Sequence, residues 1–402
     1  MCKTGRQPRP VFISGLAVRT SKFVSMPYWR LSGFYFFYFA VLGVLVPYWG
    51  LYLQSVGFTS SEIGSLMALL MVSRIVAPNV WGWIADHRQS RLAVVRFASL
   101  LTFVAFAGVF FGTGFWWLAS VMLVFSFFWH ASLPVLEVIT MNHLGAQPGA
   151  YGRVRLWGSI GFIVSVLALG PVVDSVGPWW ILPSLFALML AVWLSSLMLT
   201  DAQVAGRIEP PTPFLKFILR PEVLAFLLAG FFMQLSHGPY YTFYSIYLQS
   251  LGYSKTVIGA LWAFAVLCEI GVFLVMSRLL ARVTLRQVLI ASFLLAACRW
   301  LLIGLFPEQL WVLVLAQGLH AATFGTFHAA GMQVIYRFFT GQHQHRGQAL
   351  YGTASFGLGG AVGSLYSGYM WDALGPMATY AIAAAAAGVA FVIAVRWIRT
   401  RS

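Results

Sequence analysis

The chain has 402 residues, of which 60% are apolar and only 9% charged, a composition that excludes both a water-soluble globular domain and a disordered chain. A formal net charge of +15 raises nucleic acid as a partner, but the placement of the basic residues, taken up below, accounts for that charge without it. The three cysteines, Cys2, Cys268 and Cys298, offer no disulfide framework, because two fall in apolar spans and one at the extreme N-terminus.

Residues 1–25 are basic, are broken by Pro8 and Pro10, and lack both a long apolar run and a cleavage site, so they read as a disordered extension, with Met26 as an alternative start. Beyond them the charges fall in clusters separated by apolar runs. A hydrocarbon core of about 30 Å needs roughly 20 apolar residues per helix. Twelve spans are predicted at 29–53, 62–85, 92–113, 115–142, 152–174, 178–200, 221–249, 256–280, 285–306, 309–336, 347–371 and 376–397. The longest connection, 201–220, carries Pro210, Pro211 and Pro213 and reads as a cytoplasmic linker between two halves, 26–200 and 221–402. With the N-terminus inside, 22 of the 25 basic residues fall on the inner side; Lys255 is outside, and Arg74 and Arg299 lie within spans. This is the positive-inside pattern, so both termini are expected in the cytoplasm.

The stretch LYLQSVGFTSSEIG (51–64) returns as IYLQSLGYSKTVIG (246–259), and RLWGSIGF (155–162) returns as ALYGTASF (349–356). The expected fold class is therefore an all-α integral membrane protein of twelve transmembrane helices in two parallel-repeat six-helix halves. That plan resembles the major facilitator superfamily, whose site lies between the halves and is exposed to each side in turn. The corner GWIADHRQSR also resembles the superfamily's signature loop, with Gly82, Asp86, Arg88 and Arg91 in place and His87 and Ser90 departing from it. The resemblance implies a gating loop; by itself Asp86 also reads as a solvated loop residue.

Ionisable residues inside spans are expensive and are functional candidates by default. Arg74 lies mid-span 2, and Glu269 occupies the repeat-equivalent position in span 8, so opposite charges are expected to face a central cavity. Burial favours the neutral carboxyl and a nearby guanidinium the charged one, which suits a group that loads and releases a proton; a permanent ion pair is the alternative. Arg299 lies in span 9 and Glu137 in span 4, with His130 two turns above it. His320 and His328 are in span 10 and His237 in span 7. Imidazoles titrate nearest neutrality and could relay protons, although His130 and His237 read more simply as packing residues. The HQH at 343–345 has no thiol or carboxylate neighbours, and no metal site is expected.

PVLEV (134–138) followed by YGRVRLWGSIGF (151–162) resembles the lactose-permease type of proton symporter, and the chain is more similar still to the bacterial phenylpropionic acid transporters, over residues 27–398. That resemblance implies that Glu137 and Arg155 hold the substrate, with Phe162 where the sugar symporters stack a tryptophan. It implies Glu269, Arg299 and His320 as the coupling residues, with Thr323 in place of the sugar symporters' second glutamate. The pair His320 and His328, and Arg299-Trp300, match the phenylpropionate type. A carboxylate substrate independently calls for a guanidinium, from Arg155, Arg74 or Arg299.

The function expected is proton-coupled import of a small organic solute, an aromatic or organic acid such as a phenylpropionate-like compound, by alternating access in a bacterial cytoplasmic membrane. Symport of a sugar or nucleoside is the alternative, and a non-transporting membrane sensor the second. An enzyme would need a nucleophile–base set or metal cluster, and neither is found in the sequence. The expected partners are the substrate, protons and the lipid bilayer, with no nucleic acid, no cofactor beyond the coupling proton, and a monomeric state.

Overall fold

A chain that crosses a bilayer must satisfy its own backbone hydrogen bonds, and among the described residues every regular element is a helix. The computed structural model describes residues 27–88, 90–145, 150–201, 218–340 and 343–398, apart from the side chains of Asp86 and His345. The extension 1–25, Met26 and most of the linker 201–220 lie outside the described residues.

In chain order the helices are α1 (Tyr28–Ser55), α2 (Ser60–His87), α3 (Arg91–Phe106), α4 (Phe115–Leu144), α5 (Tyr151–Val176) and α6 (Ile181–Leu197), then α7 (Pro221–Ser250), α8 (Lys255–Leu280), α9 (Leu285–Leu305) and α10 (Leu310–Phe338). A last apolar run, Arg346–Trp397, is 52 residues long, more than twice what one crossing needs. It breaks at Gly375 (φ 83, ψ 170), just ahead of Pro376, and so divides into α11 (344–374) and α12 (376–397). Each predicted span thus finds a helix.

Three helices are less regular than the sequence suggests. In α7 the pieces Pro221–Ser236 and Gly238–Ser250 meet at His237, next to Pro239, which has no N–H to donate. A π segment, Ala321–Thr326, interrupts α10, and another, Gly352–Gly359, interrupts α11. All three lie in the second half and near its buried polar residues.

The repeat is structural. Gly57 (φ 95) and Gly252 (φ 88) make the same left-handed corner in the two halves. The next helix is capped alike, Thr59 accepting from the Glu62 N–H and Ser254 from the Val257 N–H. The halves join through α1 with α7, α2 with α11, and α5 with α8. Repeat-equivalent glycines allow the last two approaches: a Cβ at Gly64 would sit 2.7 Å from Gly368 Cα, and one at Gly259 2.7 Å from the Val166 carbonyl. At the end rich in basic residues, Arg96 donates to the Leu197 and Leu199 carbonyls (3.1 and 3.0 Å) and Arg286 to that of Val395 (2.6 Å). Part of the positive charge thus closes helix C-termini.

Gly252→Ala is expected to destabilise the protein by about 1–2 kcal/mol, because an L side chain is strained at that positive φ. Gly388→Ala, at a helical position of α12 with open space around it, is expected to be neutral or stabilising. Thermal unfolding of the purified protein checks both; equal midpoints for the two variants would contradict the corner geometry.

Candidate functional site

A guanidinium inside a membrane protein needs a partner for each donor, and Arg299 on α9, fully buried, has them nearly all. Its Nε donates to the Ala316 carbonyl (2.8 Å), Nη2 to Gln317 Oε1 (2.9 Å), and Nη1 to Thr323 Oγ1 (3.2 Å) and His320 Nδ1 (3.1 Å). The cation also lies 4.2 Å from the Tyr240 ring centre and 4.7 Å from that of Trp300. Tyr240 donates to the same Gln317 oxygen (3.0 Å). Arg299 therefore ties the broken α7 to the π segment of α10.

The bond to His320 fixes that residue's tautomer. A guanidinium only donates, so Nδ1 must be the acceptor and the imidazole is neutral with its hydrogen on Nε2. That Nε2 faces Glu269 Oε2 on α8, 3.8 Å away. Glu269 is partly open, at 19% side-chain exposure, whereas His320 is at 6%. Arg299, His320 and Glu269, singled out from the sequence, thus form a chain running from a buried cation to a partly exposed carboxylate.

His320, Phe324 and His328 form a second line along α10. Phe324 stacks on both imidazoles, at 5.2 and 6.2 Å between ring centres and within 8° of parallel. In an α-helix residues eight apart drift by about 80° around the axis; the wider π turn between them lets the three rings stay in register. His328 keeps a buried Nδ1 with no hydrogen bond.

The first half supplies the other face. Arg74 on α2, mid-span yet exposed, lies 5.1 Å from the ring centre of Phe356 in the opposite half, so it stands at the seam between the halves. Arg155 on α5 lies 3.8 Å from the Phe39 ring centre. Glu137 accepts a bond from Tyr151 (3.3 Å). Among the described residues neither Arg74 nor Arg155 has a carboxylate partner at ion-pair distance or a hydrogen bond. The expected opposition of Arg74 and Glu269 does not close: Glu269 turns to His320. Phe162, half-buried on α5, makes no ring-to-ring contact among the described residues.

His130 bonds across to Ser73 Oγ on α2 (2.9 Å), and His237 bonds within its own helix to the Met233 carbonyl (2.8 Å). In the signature-like loop, Gly82 is helical with open space beside it, Arg88 is exposed in extended backbone and Arg91 opens α3, while the Asp86 side chain lies outside the described residues. The sequence did not single out Tyr240 or Gln317; two polar residues on opposite sides of Arg299-Trp300 in an apolar setting were the available signal.

The model of the MFS_1 like family matches residues 28–382. The chain is 28% identical over 356 residues to the "Probable 3-phenylpropionic acid transporter" of Escherichia coli (strain K12), covering 86% of this chain and 92% of that one. It is also 28% identical over 355 residues to the "Maltose permease" of Geobacillus stearothermophilus, covering 84% and 86%. Its fold is similar to that of the nucleoside transporter NupG, with a TM-score of 0.81 at 16% identity over 93% of this chain and 99% of that one.

Arg299→Lys is expected to lower stability by about 2–4 kcal/mol, because one ammonium cannot reach the four acceptors that the planar fork spans. Thermal unfolding checks this; an unchanged midpoint would mean that the network is replaceable.

Proposed function

The chain belongs to the MFS_1 like family of major facilitator secondary transporters, and from that premise we propose that it imports an aromatic monocarboxylate together with a proton. The observation that carries the substrate class is the pair Arg74 and Arg155, two guanidiniums that border the cavity beside phenyl rings with no carboxylate paired to either. A carboxylate between them would gain charge-assisted bonds, and its ring would find Phe39, Phe162 and Phe356. The printed name of the phenylpropionic acid relative favours the same class. In this reading Glu137 orients the substrate's edge and Phe162 packs on its ring.

For the proton, the reading assigns Glu269. His320 cannot take a second hydrogen without giving up Arg299, whereas Glu269 has a free oxygen and partial access to the cavity. Arg299 is then the fixed positive charge, relayed through the neutral His320, against which Glu269 loads and unloads, and His328, stacked on Phe324, is the histidine that adjusts to substrate. The signature-like loop with Gly82, Asp86, Arg88 and Arg91 is assigned to the inner gate. The transporter is proposed to sit as a monomer in the bacterial cytoplasmic membrane, termini inside.

The second reading, a sugar symporter, is supported by the equal identity to the maltose permease. The two differ in charge moved. One proton with one monoanion carries no net charge, whereas a proton with a neutral sugar carries one, worth about 2.3 kcal/mol per 100 mV. Proteoliposomes given labelled 3-phenylpropionate, maltose or a nucleoside are expected to concentrate only the acid. A pH gradient should drive that uptake, a protonophore abolish it, and a membrane potential alone fail to replace it. Arg155→Lys should weaken the acid's apparent affinity about tenfold or more. Concentration of maltose driven by potential would overturn the proposed substrate class.

A further inference from the structure

We propose that the outer gate is held shut by two repeat-related aspartate latches, Asp174 on α5 and Asp372 on α11, each fastened to the start of a helix in the opposite half. Their release is the step that opens the site outward. The proposal rests on the alternating-access reading above and concerns residues that neither the substrate nor the proton site uses.

Asp174 grips the N-terminus of α8 with both oxygens. Oδ1 accepts from the Lys255 N–H (2.8 Å), and Oδ2 from the Thr256 N–H (2.9 Å) and the Thr256 hydroxyl (2.6 Å), with Lys255 Nζ 3.9 Å from Oδ1. The first N–H groups of a helix have no partner within it and carry the positive end of its dipole, so a carboxylate is the favoured occupant. On the other side of the gate Asp372 Oδ1 accepts from the Ser60 hydroxyl (2.6 Å) at the first residue of α2. Ser60 and Lys255 are equivalent positions of the repeat. Among the described residues every hydrogen-bond partner of the two aspartates lies in the other half. An aspartate that served only its own helix would bond within it.

The contact beneath each latch is backbone against backbone. A Cβ at Gly170 would lie 2.8 Å from the Lys255 carbonyl, and one at Gly368 2.7 Å from that of Ser60. Tyr48 adds a hydroxyl that donates to the Val166 carbonyl (2.7 Å) and lies 3.3 Å from that of Lys255. These contacts are short-range and sit on the outer side, so the halves cannot part there without breaking the aspartate bonds. The latches are unequal, four contacts against one, which makes Asp174 the dominant one.

The test needs no substrate. In a chain with Cys2, Cys268 and Cys298 replaced by serine, Ile246→Cys places a thiol on α7 against Gly50 of α1, buried while the outer side is closed. Its reaction with a membrane-impermeant maleimide from outside is expected to be slow. Asp174→Ala should speed it about tenfold, Asp372→Ala less, and the double variant most. An unchanged rate in a double variant inserted in normal amounts would overturn the latches. A second variant closes the gate instead: Ser60→Cys with Asp372→Cys in the same background, bridged by oxidation or a short bis-maleimide, should stop transport, and cleaving the disulfide should restore it. Full-rate transport by the bridged protein would equally overturn the proposal. Because labelling is independent of the solute, failure of the aromatic-acid reading would leave that result standing.

Discussion

Arg299 is the constraint around which the second half is arranged. A cation with no exposure in a membrane interior is tolerated only if its donors are met, and meeting them dictates the local backbone. The Ala316 carbonyl, Gln317 and Thr323 must converge from α10 with His320 between them, which an uninterrupted α-helix would spread around its axis. The π segment Ala321–Thr326 and the break of α7 at His237, which brings Tyr240 onto the guanidinium, are the structural consequences. π turns are costly and occur mostly where function holds them in place. The chemical consequence is that the Nδ1 of His320 is locked as an acceptor, which is why the proposed reading assigns the proton to Glu269.

The two halves share a plan and divide the chemistry. Corners, caps and glycine contacts repeat from one half to the other, as the pairs Gly57 with Gly252 and Gly64 with Gly259 illustrate. The charged side chains do not. In the first half Arg74 and Arg155 rest on aromatic rings, with no side-chain hydrogen bond among the described residues. In the second, Arg299 spends its hydrogen-bonding capacity internally and acts as a fixed field. The proposed symport draws on that division, with an anion assigned to the first half's cations and a proton to the second half's carboxylate.

Much of this was legible in the sequence, and for definite reasons. Span positions follow from bilayer thickness, and the parallel halves from two copies of a corner with its glycine and glutamine. Glu269, Arg299 and His320 stood out because charge inside an apolar span is rare. What the sequence did not yield depends on geometry across the chain. Arg74 and Glu269 share a repeat position, but the pseudo-twofold does not bring their ends together, because His320 lies nearer to Glu269. Asp174 and Asp372 were not singled out in the sequence, because their partners come together only when α5 lies beside α8 and α11 beside α2. The π segments carry no local signature, since AATFGT and GTASFGLG read equally well as α-helix.

The central claim is that Glu269 carries the coupled proton while the substrate is held elsewhere in the cavity, and Glu269→Gln tests it most directly, because the amide keeps size and hydrogen bonding and loses only the titratable group. Proteoliposomes with the variant should exchange labelled for unlabelled 3-phenylpropionate across the membrane and should fail to concentrate it under an inward pH gradient. Concentration at the wild-type level would contradict the account and move the proton to His320 or His328.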